Sequence, residues 1–231
     1  MMKLSKRLKK AYESFESVKM HSLEDAVKIM KSNVMVKFDE TIDISINLGI
    51  DPKQSDQLVR GVVSLPSGSG KTLRVVVFAK DEKAEEAKKA GADMVGADDL
   101  AEKIQDGNLD FDRVIATPNL MGVVGKLGKV LGPKGLMPNP KLGTVTNDIK
   151  KAVEAAKSGE VQFRTEKAGL LHAGIGKVSF NENSIIDNIK AFVDAVQKLK
   201  PSGSKGTFIK KMSISSTMGP GIKIDTASLS G

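Results

Sequence analysis

The chain has 231 residues, 40% hydrophobic and 28% charged, with 36 Lys and Arg against 28 Asp and Glu for a formal charge of +8. That composition excludes a wholly disordered chain, and its basic excess fits either a polyanionic partner or solubility alone. With no Cys and only His21 and His172, disulfides, thiolate nucleophiles and cysteine or multi-histidine metal sites are excluded.

In chain order, residues 3–17 read as a basic helix, and Ser22 with Asp25 caps a second helix that aligns Leu23, Ala26, Val27 and Met30. Ile42, Ile44, Ile46 and Leu48 then alternate with Thr41, Asp43, Ser45 and Asn47, predicting a strand with one wet face. Residues 60–65 are read as its partner strand. After Pro66-Ser67-Gly68-Ser69-Gly70-Lys71, a flexible joint, the style changes. Residues 73–78, 93–95 and 114–116 are predicted strands, separated by helices over 82–90 and 98–105, a βαβ rhythm that implies a parallel sheet covered by helices. A glycine-rich basic loop follows, and Thr146 caps a helix bearing Ile149, Ala152, Val153 and Ala156. From Glu160 alternation returns: Val161, Phe163 and Thr165 lead through Ala168-Gly169 into Leu171, Ala173 and Ile175, which reads as a hairpin. Asn183 or Ser184 opens an amphipathic helix with Ile185, Ile189, Phe192, Val193, Val196 and Leu199 on its stripe, and strands over 207–215 and 222–224 close the chain.

This order of antiparallel, parallel and antiparallel sheets predicts an α/β protein in which one domain is inserted into another. Residues 1–67 and 160–231 would form the outer domain and 68–159 the inserted one; a single continuous α+β domain is the alternative. No apolar run approaches the ~20 residues of a membrane-spanning helix, and the basic N-terminus leads into no hydrophobic signal core, so a cytoplasmic location is expected.

Two tempting motifs fail. Gly68-Ser69-Gly70-Lys71-Thr72 resembles the end of a P-loop, but Leu65 stands where the first glycine belongs and a strand follows where a helix is needed. No Gly-x-Gly-x-x-Gly follows any strand of the parallel segment. No carboxylate pair or triad stands out for catalysis either, so no enzyme, cofactor or metal is expected.

The polar signal is strongest near the C-terminus. On the last long strand Met212 and Ile214 point inward, so Lys211, Ser213, Ser215 and Thr217 share the opposite face, and Met218-Gly219-Pro220-Gly221 makes a bend beyond it. Hydroxyls beside a lysine suit phosphates and riboses; a solvated strand ending in a turn is the plainer alternative. Residues 122–143 hold six glycines with Lys126, Lys129, Lys134 and Lys141 and no acid, which fits either a loop laid against phosphates or a mobile connection. His172, opposite in facing to Leu171 and Ala173, is by default structural, or else shares an exposed surface with Lys167 and the Thr217 segment. With one Tyr and no Trp, base stacking is poorly supplied, so shape and backbone contacts would dominate nucleic-acid binding.

Three stretches carry a resemblance: Ser215-Ser216-Thr217-Met218-Gly219-Pro220-Gly221, Gly132-Pro133-Lys134-Gly135-Leu136-Met137-Pro138-Asn139-Pro140 and Lys37-Phe38-Asp39-Glu40-Thr41. They resemble the L-one family of large-subunit ribosomal proteins in its bacterial form, over essentially the whole chain. The resemblance implies a split βαβ domain built from both chain ends and an inserted Rossmann-like three-layer α/β domain. It further implies binding to the mobile stalk of 23S ribosomal RNA, help in releasing deacylated tRNA from the exit site, repression of translation of the protein's own operon mRNA, and a monomer when free. The implied RNA-contacting residues are Lys37, Phe38, Thr41, Lys167, His172, Ser215, Thr217, Met218 and Gly219. Lys211 and Ser213 join them through their shared strand face, and the basic loop is a secondary candidate. The rival readings are a nucleotide- or cofactor-dependent enzyme and a protein-only scaffold.

Overall fold

The computed structural model describes residues 5–107, 110–204 and 206–226. In chain order its elements are α1 (Lys6–Glu13), α2 (Leu23–Ser32), β1 (Thr41–Leu48), β2 (Arg60–Ser64), β3 (Val75–Phe78), α3 (Glu82–Lys89), β4 (Met94–Gly96), α4 (Asp98–Gln105), β5 (Arg113–Ala116), α5 (Met121–Lys126), α6 (Gly128–Leu131), α7 (Ile149–Lys157), β6 (Glu160–Arg164), β7 (Leu170–Lys177), α8 (Glu182–Lys198), β8 (Ile209–Ser216) and β9 (Ile222–Ile224). The chain is mixed α/β, and its residues gather into two compact units. One joins the chain up to Gly70 with the chain from Val161; the other is Lys71–Glu160.

In the first unit, alternation builds a four-stranded antiparallel sheet in the order β7-β1-β8-β9. Ile42, Ile44, Ile46 and Leu48 of β1, with Met212 and Ile214 of β8, bury one face against α2 and α8. Each such side chain contributes about 1.5–3 kcal/mol by leaving water. Ser22 caps α2 by accepting the Asp25 N–H at 3.2 Å, as the capping-box pattern requires. Among the described residues the helices packed on this sheet, α2 and α8, lie on that buried side, and the other face is mostly polar.

Several expectations change here. β2 is not the partner of β1; it pairs with β6 in a separate two-stranded sheet. The predicted hairpin forms at its tip, where Gly169 N–H closes the turn on the Glu166 carbonyl, Glu166 N–H donates to the Leu170 carbonyl at 2.8 Å and Thr165 pairs antiparallel with Leu171, while beyond the tip β6 goes to β2 and β7 to β1. Periodicity assigns a face, whereas partner choice is a long-range matter that it does not encode. The basic N-terminal helix occupies Lys6–Glu13, and Lys3 lies outside the described residues. α8 starts at Glu182 behind Asn181, and Leu199, placed on its stripe, is exposed at the helix end.

Asn188 sits on the buried stripe of α8 with its amide fully enclosed. Its Oδ1 accepts the Ser67 N–H at 3.0 Å, and its Nδ2 donates to the Gly68 carbonyl at 3.0 Å and the Ile175 carbonyl at 2.8 Å. The stretch read as a flexible joint at 67 is thus tied to the first unit, and the crossing falls after Gly70, whose φ of 68° and lack of a side chain fit it against Lys177 and Phe180.

The second unit is a parallel sheet, β4-β3-β5, covered on both faces. Val75 and Val77 pack with Ala87 of α3 and Ile149 and Val153 of α7; Val76 and Phe78 pack with Leu100 and Ile104 of α4 and with Val124, Leu127 and Leu131. The predicted basic loop is a loop only in its second half. Leu120, Val124, Leu127 and Leu131 form a helical stripe that builds α5 and α6. Gly122 and Gly125, on exposed positions, hide that stripe from propensity-based reading. Thr146 supports α7 indirectly by accepting the Asp148 N–H at 3.1 Å, and Asp148 is the N-cap position. At the end of this unit Arg113 bonds both the Glu160 carboxylate (2.6 Å) and carbonyl (2.8 Å). Among the described residues no helix is long and apolar enough to cross a membrane.

Candidate nucleic-acid interface

The helix-free face of the first unit's sheet is assembled by register. Along β1, Asp43 lies opposite Gly174 of β7 and Ser215 of β8; Ser45 lies opposite His172 and Ser213; Asn47 lies opposite Leu170 and Lys211. Lys223 of β9 extends the central row beside Ser213. Because β8 runs between β1 and β9, these side chains occupy a face and not the sheet edge that a terminal strand would offer.

At the Thr41 end of this face the chain is tightly bonded. Thr217 N–H donates to the Thr41 carbonyl at 3.0 Å, and Thr217 Oγ1 both accepts the Thr41 N–H at 3.0 Å and sits 3.2 Å from the Thr41 carbonyl it donates to. The next amide, Met218 N–H, donates to Glu40 Oε2 at 3.0 Å. Glu40 itself is 1% exposed. Gly219 N–H then closes the turn on the Ser216 carbonyl at 3.1 Å. Phe38 and Met218, 54% and 45% exposed, are among the few large apolar side chains left open to solvent. Lys37 is exposed on the segment leading into β1.

The Thr217 hydroxyl is therefore committed within the protein. Its single proton serves the Thr41 carbonyl, leaving one lone pair to accept from a ligand. Gly219 also has an internal reason: a Cβ built there would lie 2.3 Å from Ser216 Oγ. That hydroxyl is buried and has no hydrogen-bond partner among the described residues.

Register separates residues that sequence reasoning grouped. Lys167 lies in the turn whose Gly169 carbonyl accepts the Leu48 N–H, and Lys211 lies opposite Asn47. Both occupy the far end of the sheet from Thr217, six β1 residues or roughly 20 Å away. His172 holds the middle row, exposed and opposite Ser45, so it does not place Lys167 and Thr217 on one patch. Lys126, Lys129, Lys134 and Lys141 are exposed on the second unit.

Three residues were missed. Glu40 has the parity of Ile42 and Ile44, so the alternation that defines β1, extended back two residues, marks an acid on the core side. Asp39 accepts the Ser179 N–H and hydroxyl at 3.1 and 2.9 Å. Lys177 Nζ donates to Thr41 Oγ1 at 3.1 Å and to the Asp39 carbonyl at 3.3 Å. The last two depend on pairings between distant segments and carry no local signal.

Residues 26–220 match the ribosomal protein L1p/L10e family, a span that contains Lys37 to Thr41, the whole 132–140 stretch and Thr217-Met218-Gly219. The chain belongs to this family. It is accordingly a ribosomal protein of the large subunit, in the cytoplasm, that binds ribosomal RNA, and the family is structural and non-enzymatic. Among the described residues no cluster of His, Asp and Glu could hold a metal ion.

Proposed function

We propose that the helix-free sheet face of the first unit, centred on Thr41, Thr217, Met218 and Gly219, is the surface that takes the mobile stalk of 23S ribosomal RNA, in a protein of bacterial type. The observation that carries this reading is the bonding of the Thr217 and Met218 amides to Thr41 and Glu40, two segments from opposite ends of the chain. A surface held this way is rigid before it binds, so little ordering entropy opposes association. Thr217 Oγ1 accepts from a ribose 2′-OH, the group that distinguishes RNA from DNA. Phe38 and Met218 supply apolar contacts, and Ser213, Ser215 and His172 continue the polar track. Lys37 neutralises phosphate at one end, Lys167 and Lys211 at the other.

In this reading the two units act as two domains, a split βαβ domain that binds RNA and an inserted Rossmann-like domain whose Lys126, Lys129, Lys134 and Lys141 form a secondary basic surface. The same protein, monomeric when free, assists release of deacylated tRNA from the exit site and represses its own operon mRNA by offering one face to two RNAs. The likeness to the family motifs supports both roles.

The test is binding of stalk RNA and of an unrelated duplex of equal length across a salt series. Stalk RNA should bind more tightly at every salt concentration, and neutralising Lys37 should lower the salt slope by about one. Equal affinity for both RNAs would refute the proposal.

A further inference from the structure

The far end of the same sheet face contains a groove that the Thr217 end does not need. It encloses about 330 Å³, within the lower range of small-ligand sites. One wall is the segment before α2, where Val18 and Met20 are 83% and 59% exposed. That segment is fixed: His21 N–H donates to the Lys223 carbonyl and Asp225 N–H to the His21 carbonyl, both at 3.0 Å, so it lies along the outer side of β9. The lining includes Ser45, Ser213 and Asn47 together with Lys210, Lys211 and Lys223, and Leu170 and Ile224 add apolar surface. Among the described residues no acid lines it.

Three cations without an acid select an anionic occupant. Apolar walls facing an amide and two hydroxyls select one that is flat and apolar on its faces and carries hydrogen-bonding groups on its edge. An unpaired nucleotide has all three properties, and bases in a duplex do not, since their faces are covered by stacking. Asp43, exposed in the intervening row of β1, separates this groove from the Thr217 end, so the two ends hold different nucleotides.

We propose that this groove receives one splayed nucleotide of the RNA bound by the first unit, its base against Val18 and Met20 and its phosphate among Lys210, Lys211 and Lys223. The proposal rests on the RNA-binding reading above.

The experiment uses the full chain and a stalk fragment of large-subunit ribosomal RNA. Zero-length ultraviolet crosslinking with peptide mapping should place a nucleotide adduct on the segment containing Val18 and Met20. The neutral double variant Val18→Ser/Met20→Ser should melt as the wild type and bind the fragment about tenfold more weakly. Thr217→Val is measured in parallel. No adduct on that segment, with wild-type affinity in the double variant and weakened binding in Thr217→Val, overturns the groove proposal alone. Wild-type affinity in Thr217→Val as well overturns the reading on which it rests.

Discussion

Replacing Gly219 by alanine tests the geometry of the turn directly. The new Cβ would meet Ser216 Oγ at 2.3 Å, about 1 Å inside an ordinary contact, while its other near neighbours, Ser216 Cβ at 3.5 Å and Ser216 N at 3.7 Å, are acceptable. Overpacking of this kind costs about 1–3 kcal/mol. Rotation of the serine side chain relieves part of it, which places Gly219→Ala near 1–2 kcal/mol. Ser216→Ala should behave oppositely. It removes a buried hydroxyl that has no partner among the described residues, so it is neutral or stabilising by up to about 1 kcal/mol. In the double variant the clash is gone, and the two effects should fail to add by about 1–2 kcal/mol. Urea unfolding followed by circular dichroism is the assay, since the chain has one Tyr and no Trp for fluorescence. RNA affinity lost in Gly219→Ala should return in the double variant. If Gly219→Ala costs the same stability in both backgrounds, the steric account of this glycine is wrong.

Thr217→Val keeps shape but deletes both hydroxyl bonds to Thr41. Water reaches the freed Thr41 groups, so melting should fall by only about 1 kcal/mol, while RNA affinity falls by roughly 1–3 kcal/mol, about 5- to 150-fold; unchanged affinity in a filter-binding titration would contradict the role given to this hydroxyl. In the second unit, Asp93 is held below the ordinary carboxylate range, chiefly by the Val75 N–H at 2.8 Å and also by Lys157. A depressed carboxyl stabilises the fold above its unfolded pKa and loses that contribution as pH falls through the folded value. Melting temperature should therefore drop on acidification below about pH 4, and Asp93→Asn should flatten the drop; identical acid profiles would refute the linkage.

What the sequence makes legible here is facing. The isoleucines of β1 and the serines of β8 assign an inner and an outer side without any structure, because a strand's period is two. Which end of the sheet a residue occupies is set by strand order and register, so Lys167 and Thr217, alike in exposure, proved to lie at opposite ends. Glu40 was readable by parity, since it has the facing of Ile42 and Ile44. Asn188 was not readable, because a buried amide on an apolar stripe makes sense only once the Ser67 and Gly68 backbone groups are brought to it. The helical start of the 122–143 stretch was obscured by exposed glycines that interrupt no packing.

The bonds joining Thr41 to Thr217 span 176 positions of sequence. A nascent polypeptide extended as far as Ile214 already contains Lys37, Phe38, Thr41 and His172, with β7 available to pair with β1, but it lacks the Thr217 and Met218 amides that bond Thr41 and Glu40. On the proposed RNA-binding role of the Thr217 end, partial translation products lack the segment that completes the surface, so incomplete copies of this protein should compete poorly with finished ones for the same ribonucleic acid.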